Sequence, residues 1–302
     1  MAWEWEHAKQ TITLPADFCR DPYLFDTDTP KQNIELLAQE QEHGNLSWQR
    51  KGDDRYFYIP VAVINSLPVS SNLFRDTIAC ITQMYIDNNY PASNIISSSI
   101  RQIADNIGIA YNGERAQEIE DILIFARLYT VQKQPLYSID KGKVVRYDAT
   151  FGFVDYVTKE VSVDGIPVNP KVARTQIKLN DIYTQVLKNK KLPKAPVPVT
   201  ALQKANQAPR RLVTPTKNLI YNLSALIPKN EVEYSLLKLK GITGYRETRK
   251  DRLRKSIENV INQLYPVMIS DYKYDSINDK YIFKFAGQLK PNTPIKTAKG
   301  GT

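Results

Sequence analysis

The residues best suited to chemistry in this sequence are the basic side chains of positions 245–266. Within this stretch an apolar set recurs at helical spacing, comprising Leu253, Ile257, Val260, Ile261 and Leu264. These positions fall on one side of a helix, so they predict a face packed on a core. The basic residues stay outside that face: Arg246, Arg249, Lys250, Arg252 and Lys255. A helix that is basic at its N-terminal end can enter the major groove of DNA.

The elements around this helix are those of a winged helix-turn-helix. Residues 231–240 predict a short helix, and the glycines of residues 241–244 predict a tight turn after it. After the basic helix, residues 267–272 and 280–285 are rich in β-branched and aromatic side chains, with a polar tip between them. That pattern predicts a β-hairpin, the wing. The competing interpretation is an ordinary solvated helix, since runs of charge are common on helix surfaces.

Charge is distributed unevenly along the chain. Residues 1–165 contain 15 Lys and Arg against 23 Asp and Glu, whereas residues 166–302 contain 26 against 9. The first part therefore carries a net charge of −8 and the second +17. This asymmetry predicts that a polyanion such as DNA contacts the C-terminal half.

The sequence shows no arrangement that catalysis would require. Its two histidines, His7 and His43, both lie in the N-terminal segment, which argues against a histidine-based nucleophile system and a histidine-rich metal site. The carboxylates of residues 114–121 predict one solvated helix face, and no glycine-rich phosphate-binding loop is present. We therefore predict a protein that is not an enzyme and that binds no cofactor and no metal.

Composition predicts an intracellular setting. The sequence contains no run of about 18 apolar residues, so no membrane span is predicted. Residues 1–6 lack the features of a secretory signal. Cys19 and Cys80 form no metal or redox motif, which fits a reducing compartment. We expect a cytoplasmic protein associated with the nucleoid or a plasmid.

An internal repeat is the main sign of domain organisation. The strand entered through Pro60 resembles the one entered through Pro198, and each precedes an amphipathic helix, over residues 73–87 and 216–226. A helix and turn follow in both copies, with Gly108 matched to Gly241. A third helix and strand-like runs then close each copy. Duplication explains this order better than chance similarity.

The repeat predicts an α+β fold with two tandem winged helix-turn-helix domains and short β-hairpin wings. The predicted segments are an acidic N-terminal extension (1–54), a first winged-helix domain (55–187), a basic connecting segment (188–211), a second winged-helix domain that is the main DNA reader (212–290), and a disordered tail (291–302). The third helix of the first domain is acidic, so that domain is expected to mediate interaction or dimerisation, or to make a secondary DNA contact through Arg101 and Arg115. Arg210, Arg211 and Lys217 open the second domain and are predicted to contact phosphates.

Two winged-helix units in tandem, the second more basic, resemble the theta-type plasmid replication initiators, the Rep proteins that bind repeated origin sequences called iterons. The resemblance covers about residues 55–290. It rests on the duplicated unit and on the strand and helix of residues 177–183, which look like the stretch joining the two units in that family. The acidic third helix of the first unit departs from the family and puts its DNA contact in doubt.

The resemblance implies a site, partners and a function. Its base-reading candidates by position are Tyr245, Arg246, Thr248, Arg249, Lys250 and Arg252, and its phosphate-contact candidates include Lys255, Lys273, Lys280, Arg210 and Arg211. Partners in that family include double-stranded DNA, a second copy of the chain and host helicase or replication proteins. The implied function is initiation of plasmid or phage replication at iterons, with origin opening and autorepression. The alternatives are a winged-helix transcriptional regulator and a non-catalytic nucleic-acid-binding subunit of a mobile-element or defence complex.

Overall fold

The computed structural model describes residues 11–20, 24, 45–48, 55–60, 71–140, 143–189, 194–226 and 231–286. In these ranges the chain combines helices with small antiparallel sheets, which confirms the predicted α+β class. The helices are α1 (Ala16–Arg20), α2 (Ser71–Asp87), α3 (Ile100–Ile107), α4 (Gly113–Leu128), α5 (Asp181–Lys188), α6 (Val199–Gln207), α7 (Arg210–Ser224), α8 (Leu236–Thr243) and α9 (Lys250–Leu264). The strands are β1 (Thr11–Pro15), β2 (Asn45–Trp48), β3 (Tyr56–Pro60), β4 (Ile95–Ser98), β5 (Thr130–Asp140), β6 (Lys143–Gly152), β7 (Val154–Lys159), β8 (Ser162–Val163), β9 (Ile166–Pro167), β10 (Thr175–Leu179), β11 (Lys194–Pro198), β12 (Glu231–Ser235), β13 (Ile269–Asp275) and β14 (Lys280–Phe285).

Two parts of the chain share one order of elements. The first unit, from α2 to α5, runs helix α2, strand β4, helices α3 and α4, and then the strands β7 and β10. The second unit, from α6 to β14, repeats this order as α7, β12, α8, α9, β13 and β14. In both sheets the last strand lies in the middle, giving the orders β4-β10-β7 and β12-β14-β13. The first unit also contains the long β5–β6 hairpin, which belongs to a separate sheet with β2 and β3.

The first strand of the second sheet was predicted as helix, and that prediction is wrong for residues 231–235. Val232 and Tyr234 are buried while Glu231 and Glu233 are exposed, so the local period is two rather than 3.6. This strand pairs with β14, with Val232 opposite Phe283. Helix α8 begins directly afterwards, where the Ser235 side chain accepts a hydrogen bond of 3.2 Å from the N–H of Lys238.

The turn after α8 also lies later than predicted. Gly241 is part of the helix, and the left-handed residue that ends it is Gly244, with φ of 74°. Gly244 is therefore the equivalent of Gly108, which ends α3 with φ of 73°. At Gly108 a side chain is disfavoured by the positive φ and also by lack of space, because a Cβ atom would lie 2.5 Å from Cγ of Gln203 in α6.

Two helices start at positions other than those predicted. Helix α7 begins at Arg210 rather than at residue 216, and it continues through Pro215. At Pro215 the helix lacks the hydrogen bond to the Arg211 carbonyl, because proline has no N–H. Helix α9 begins at Lys250, so residues 245–249 precede the helix.

Each unit has its own buried apolar cluster. In the first, Phe74, Phe125 and Phe153 pack around Tyr129 with ring centroids 5.0–6.1 Å apart. In the second, α7, α8 and α9 pack on the sheet, with Tyr281 and Phe283 stacked at 6.0 Å. Burial of each large apolar side chain contributes about 1.5–3 kcal/mol. No helix in the described ranges is long and apolar enough to cross a membrane.

The N-terminal residues 11–20 connect the two clusters. Strand β1 pairs with β11, and Phe18 of α1 packs in the first cluster while Cys19 packs in the second. The predicted connecting segment 188–211 thus includes strand β11, helix α6 and the start of α7, whose apolar side chains belong to the second cluster. The predicted tail 291–302 lies outside the described residues.

Candidate nucleic-acid interface

Helix α9 is held in place by the apolar stripe that its sequence predicts. Its buried residues are Leu253, Ile257, Val260, Ile261 and Leu264, which confirms the predicted core-facing set. Its C-terminal end is fixed by Lys204 of α6, whose Nζ donates a hydrogen bond of 2.6 Å to the Tyr265 carbonyl. A lysine at this end also interacts favourably with the helix dipole. The opposite side of α9 is left facing outwards.

The outward side of α9 carries a polar stripe, here called the outer face, formed by Arg252, Lys255 and Asn259. All three are exposed, and their spacing of three and four residues aligns them along the helix. None of them forms an ion pair with another described residue. Arginine suits the paired acceptors of guanine, and asparagine suits adenine. Asn259 was missed by the sequence reasoning, although it continues the helical spacing of Arg252 and Lys255.

The residues before α9 form a compact loop organised by Glu247. One carboxylate oxygen of Glu247 accepts hydrogen bonds of 2.9 Å from the N–H groups of Thr248 and Arg249. These bonds lower the pKa of Glu247, and the charges of Arg252 and Arg249 lower it further. The side chains of Arg246, Thr248 and Arg249 are exposed, and Arg249 lies 3.2 Å from Asp251.

Tyr245 has a different environment from the other predicted base readers. It is half-buried against the apolar cluster of the second unit, and this burial raises the pKa of its hydroxyl. The charge of Arg211 acts in the opposite direction on that pKa. Helix α7, which begins at Arg210, packs against α9.

One flank of α9 faces the β13–β14 hairpin. Nζ of Lys250 lies 2.5 Å from Oδ2 of Asp279, and the Arg254 guanidinium lies 5.4 Å from the ring centroid of Tyr274. Tyr281 donates a hydrogen bond of 3.2 Å to Glu258 further along the helix. Because Lys250 is paired with Asp279, it is less available to read a base than its position in the sequence indicates.

Most of the predicted phosphate contacts lie on the surface of the second unit. Arg210 and Arg211 are exposed at the start of α7, and Lys273 is exposed on the hairpin. Lys280 is exposed too, with Nζ 3.6 Å from a Glu233 oxygen. Lys217 is the exception, because it does not lie on that surface. It is 3 % exposed and forms an ion pair with the buried Asp76.

On the corresponding surface of the first unit, several basic groups are paired with acids. Arg101 lies 3.7 Å from Asp105, and Arg115 is paired with Glu118 on α4. Lys159 of β7 reaches across to Glu120 of α4. The structure does not bring Arg101 and Arg115 into the basic surface around α9. The paired charges make this face a poor match for phosphate.

Two kinds of reactive group bear on other chemistry in the described structure, metal-binding clusters and thiols. They contain no cluster of three or more His, Cys, Asp and Glu side chains that could hold a metal ion. Cys19 and Cys80 are both buried free thiols, and burial raises the pKa of each to about 12. A thiol with so high a pKa is protonated near neutral pH and is a poor nucleophile.

Comparison with known proteins gives little further information. No protein-family model matches the chain, and no curated protein matches it either. Among solved structures, a crystal structure of selenomethionine derivatives of domains 2 and 3 of RctB is similar at 11 % identity and a TM-score of 0.44, covering 80 % of this chain and 90 % of that one. A second structure of RctB domains 2–3 has 9 % identity and a TM-score of 0.42, covering 80 % and 91 %. These scores are too low for a conclusion about fold or function to follow from them.

Proposed function

We propose that this chain is a sequence-specific double-stranded DNA-binding protein that initiates replication of a plasmid or phage at repeated origin sites. It has no catalytic role in this proposal, and it represses its own gene through the same sites. The observation that carries the proposal is the outer face of α9, where Arg252, Lys255 and Asn259 are exposed along one side of a helix whose other side is buried.

The order of elements supports winged-helix units. A helix, a strand, two further helices and two more strands occur in the same order in each unit, and the first strand pairs with the last. In the first unit the β5–β6 hairpin and the short strands β8 and β9 are inserted into this order. In this proposal α9 of the second unit is the recognition helix and the β13–β14 hairpin is the wing. Recognition helices of this type lie in the major groove, with their N-terminal residues on base edges.

Charge supports DNA as the ligand of the second unit. Arg210 and Arg211 are exposed at the start of α7, and Lys273 is exposed on the hairpin. In this proposal they neutralise phosphates, which positions a protein without specifying sequence. Specificity is then supplied by the outer face. The first unit, in which Arg101, Arg115 and Lys159 are paired with acids, serves in this proposal as an interaction surface for a second copy or a host replication protein.

Replication initiation, rather than transcriptional regulation, is proposed from the tandem arrangement of two units. That arrangement resembles the theta-type initiators, and a regulator built from the same modules usually adds a ligand pocket or an oligomerisation helix. A complex subunit with no sequence preference is the remaining alternative.

Selection of duplexes from a random pool at about 150 mM salt tests the DNA-reading part, because binding through phosphates alone is weakened at that salt. We expect one enriched motif, and we expect the same motif to occur in tandem near the gene that encodes this protein. Arg252→Ala and Asn259→Ala should each weaken binding to it by about 5- to 150-fold, since a paired base contact is worth about 1–3 kcal/mol. Arg127→Ala, at an exposed arginine of α4, is the matched control and should bind normally. The absence of an enriched motif would refute sequence-specific reading.

Reactivity of unpaired thymines in a supercoiled plasmid carrying the selected repeats tests the initiation part. An initiator should make an adjacent A·T-rich stretch reactive to permanganate, and Arg252→Ala should abolish that reactivity. Tight binding of the repeats without any opening, together with repression of a reporter gene, would instead identify a transcriptional regulator.

A further inference from the structure

The tip of the β13–β14 hairpin presents an apolar side chain to solvent. Ile277 is 92 % exposed, more than any other large apolar side chain in the described part of the chain. It lies between Ser276 and Asn278 in the polar tip of residues 275–279, which is here called the wing tip. Its side chain lies outside the core of the second unit, so it is accessible to another molecule.

The wing tip is rigid rather than loose. Oδ1 of Asp275 accepts hydrogen bonds from the N–H groups of Ile277 at 2.9 Å and Asn278 at 3.2 Å. The Asn278 amide donates to the other Asp275 oxygen at 2.7 Å. These bonds lower the pKa of Asp275, so the carboxylate that organises the turn stays ionised at neutral pH. The backbone on both sides of Ile277 is thereby held in one conformation.

The wing tip is also tied to the start of α9. Asp279 accepts hydrogen bonds from Nζ of Lys250 and from the Tyr274 hydroxyl. One residue, Asn278, separates Asp279 from Ile277, so the Cα atoms of Asp279 and Ile277 lie at most about 7.6 Å apart. Ile277 is therefore held beside the N-terminal end of the helix that we propose reads the major groove.

A side chain in this place would meet the neighbouring minor groove when α9 lies in the major groove. Proteins that act on the minor groove insert apolar wedges such as isoleucine between base steps, unstacking the bases and kinking the duplex. The two carboxylates of the wing tip would repel phosphates if they were uncompensated. Asp279 is paired with Lys250, and the charge of Lys273 acts on Asp275.

We propose that Ile277 is a wedge that enters the minor groove of double-stranded DNA next to the major-groove site of α9 and kinks the duplex there. The inference rests on the proposed function and adds a contact whose strength depends on how easily the DNA at that step deforms. Pyrimidine–purine steps such as TA and CA unstack most easily, so the bound site should carry one of them at a position that no side chain contacts through hydrogen bonds. A kink of about 20–90° is expected.

The test uses the full chain and the duplex that it selects, with fluorophores at both ends and 2-aminopurine at the step under the wing tip. The wild-type protein should shorten the end-to-end distance and raise the 2-aminopurine fluorescence. Ile277→Ala should lose both signals and bind about tenfold more weakly or worse, while its selected motif keeps the positions that depend on Arg252. Ile277→Leu should retain the kink, and so should Val161→Ala, a control at another exposed apolar residue in the first unit.

The outcomes separate the wedge from the proposed function. A wild-type complex with a defined motif but a straight duplex, or an Ile277→Ala complex that is kinked like the wild type, overturns the wedge and leaves sequence-specific reading intact. Failure of the wild-type protein to select any duplex overturns both. A change in oligomeric state or in protein binding on Ile277→Ala, with the kink unaltered, would show that Ile277 docks a protein and would also overturn the wedge.

Discussion

Replacing Lys217 by alanine tests the junction between the two units. Lys217 of α7 forms an ion pair with Asp76 of α2, and the Tyr221 hydroxyl donates a hydrogen bond of 2.7 Å to the other Asp76 oxygen. Asp76 is fully buried, and Lys217 is 3 % exposed. The substitution would leave a carboxylate in a site that water does not reach.

The expected loss of stability follows from that burial. Removing one partner of a buried ion pair costs about 3–5 kcal/mol, because the other charge loses its compensation. At about 2–4 °C per kcal/mol for chains of this order of size, the thermal midpoint should fall by about 6–20 °C. Thermal unfolding followed by circular dichroism measures this shift. The triple variant Asp76→Leu, Lys217→Met, Tyr221→Phe removes the charges and the hydroxyl together and should recover most of the loss.

DNA affinity measured on the same variants separates a structural lysine from a phosphate contact. If Lys217 is structural, Lys217→Ala should bind duplex DNA with an unchanged salt dependence at temperatures where it is folded. A variant that unfolds like the wild type, but whose salt dependence falls by about one phosphate contact, would refute the burial argument. It would also restore the sequence-based assignment of Lys217 to DNA.

Three further predictions concern stability and reactivity. Lys204→Ala should lower the unfolding free energy by about 0.3–1 kcal/mol in urea titrations, because the C-terminal end of α9 loses a cation and a hydrogen bond; an unchanged midpoint would contradict that role. Burial lowers the pKa of Lys194 to about 8, against an ordinary value of about 10.4. Between these two pH values the unfolded chain therefore binds more protons than the folded chain. The stability of the wild type should accordingly rise from about pH 8 to 10 relative to that of Lys194→Met. A constant difference between the two proteins over that range would show that Lys194 titrates normally. Cys19 and Cys80 should resist a thiol reagent in the folded protein and react fully in denaturant; rapid labelling of the native protein would show that at least one thiol is accessible.

Prediction from the sequence succeeded where the determining interactions are local. The core-facing residues of α9 follow from a helical period that fits within fifteen residues, and the β13–β14 hairpin follows from two β-rich runs that a short polar tip separates. Prediction failed at residues 231–235, where the alternation of Val232 and Tyr234 was read as part of a helix. Their strand is stabilised by β14, which lies about fifty residues further along the chain.

The site divides in the same way. Arg252 and Lys255 could be predicted as exposed because exposure follows from the position of the apolar stripe. The ion pair of Lys250 could not be predicted, because its partner Asp279 belongs to the β13–β14 hairpin. In the sequence, nothing in the neighbours of Lys217 distinguishes it from a surface lysine. Only the packing of α7 on α2 places Lys217 against Asp76.

The sequence by itself determined the α+β class, the unequal distribution of charge and the two-sided character of α9, since each depends on composition or on neighbours within a few turns. Only the tertiary structure decided which basic residues remain free to contact a ligand and where the wing tip lies relative to α9. Those properties depend on pairs such as Lys217 and Asp76, which are far apart in the chain. Their contact is selected by the burial of two apolar clusters rather than by any local preference.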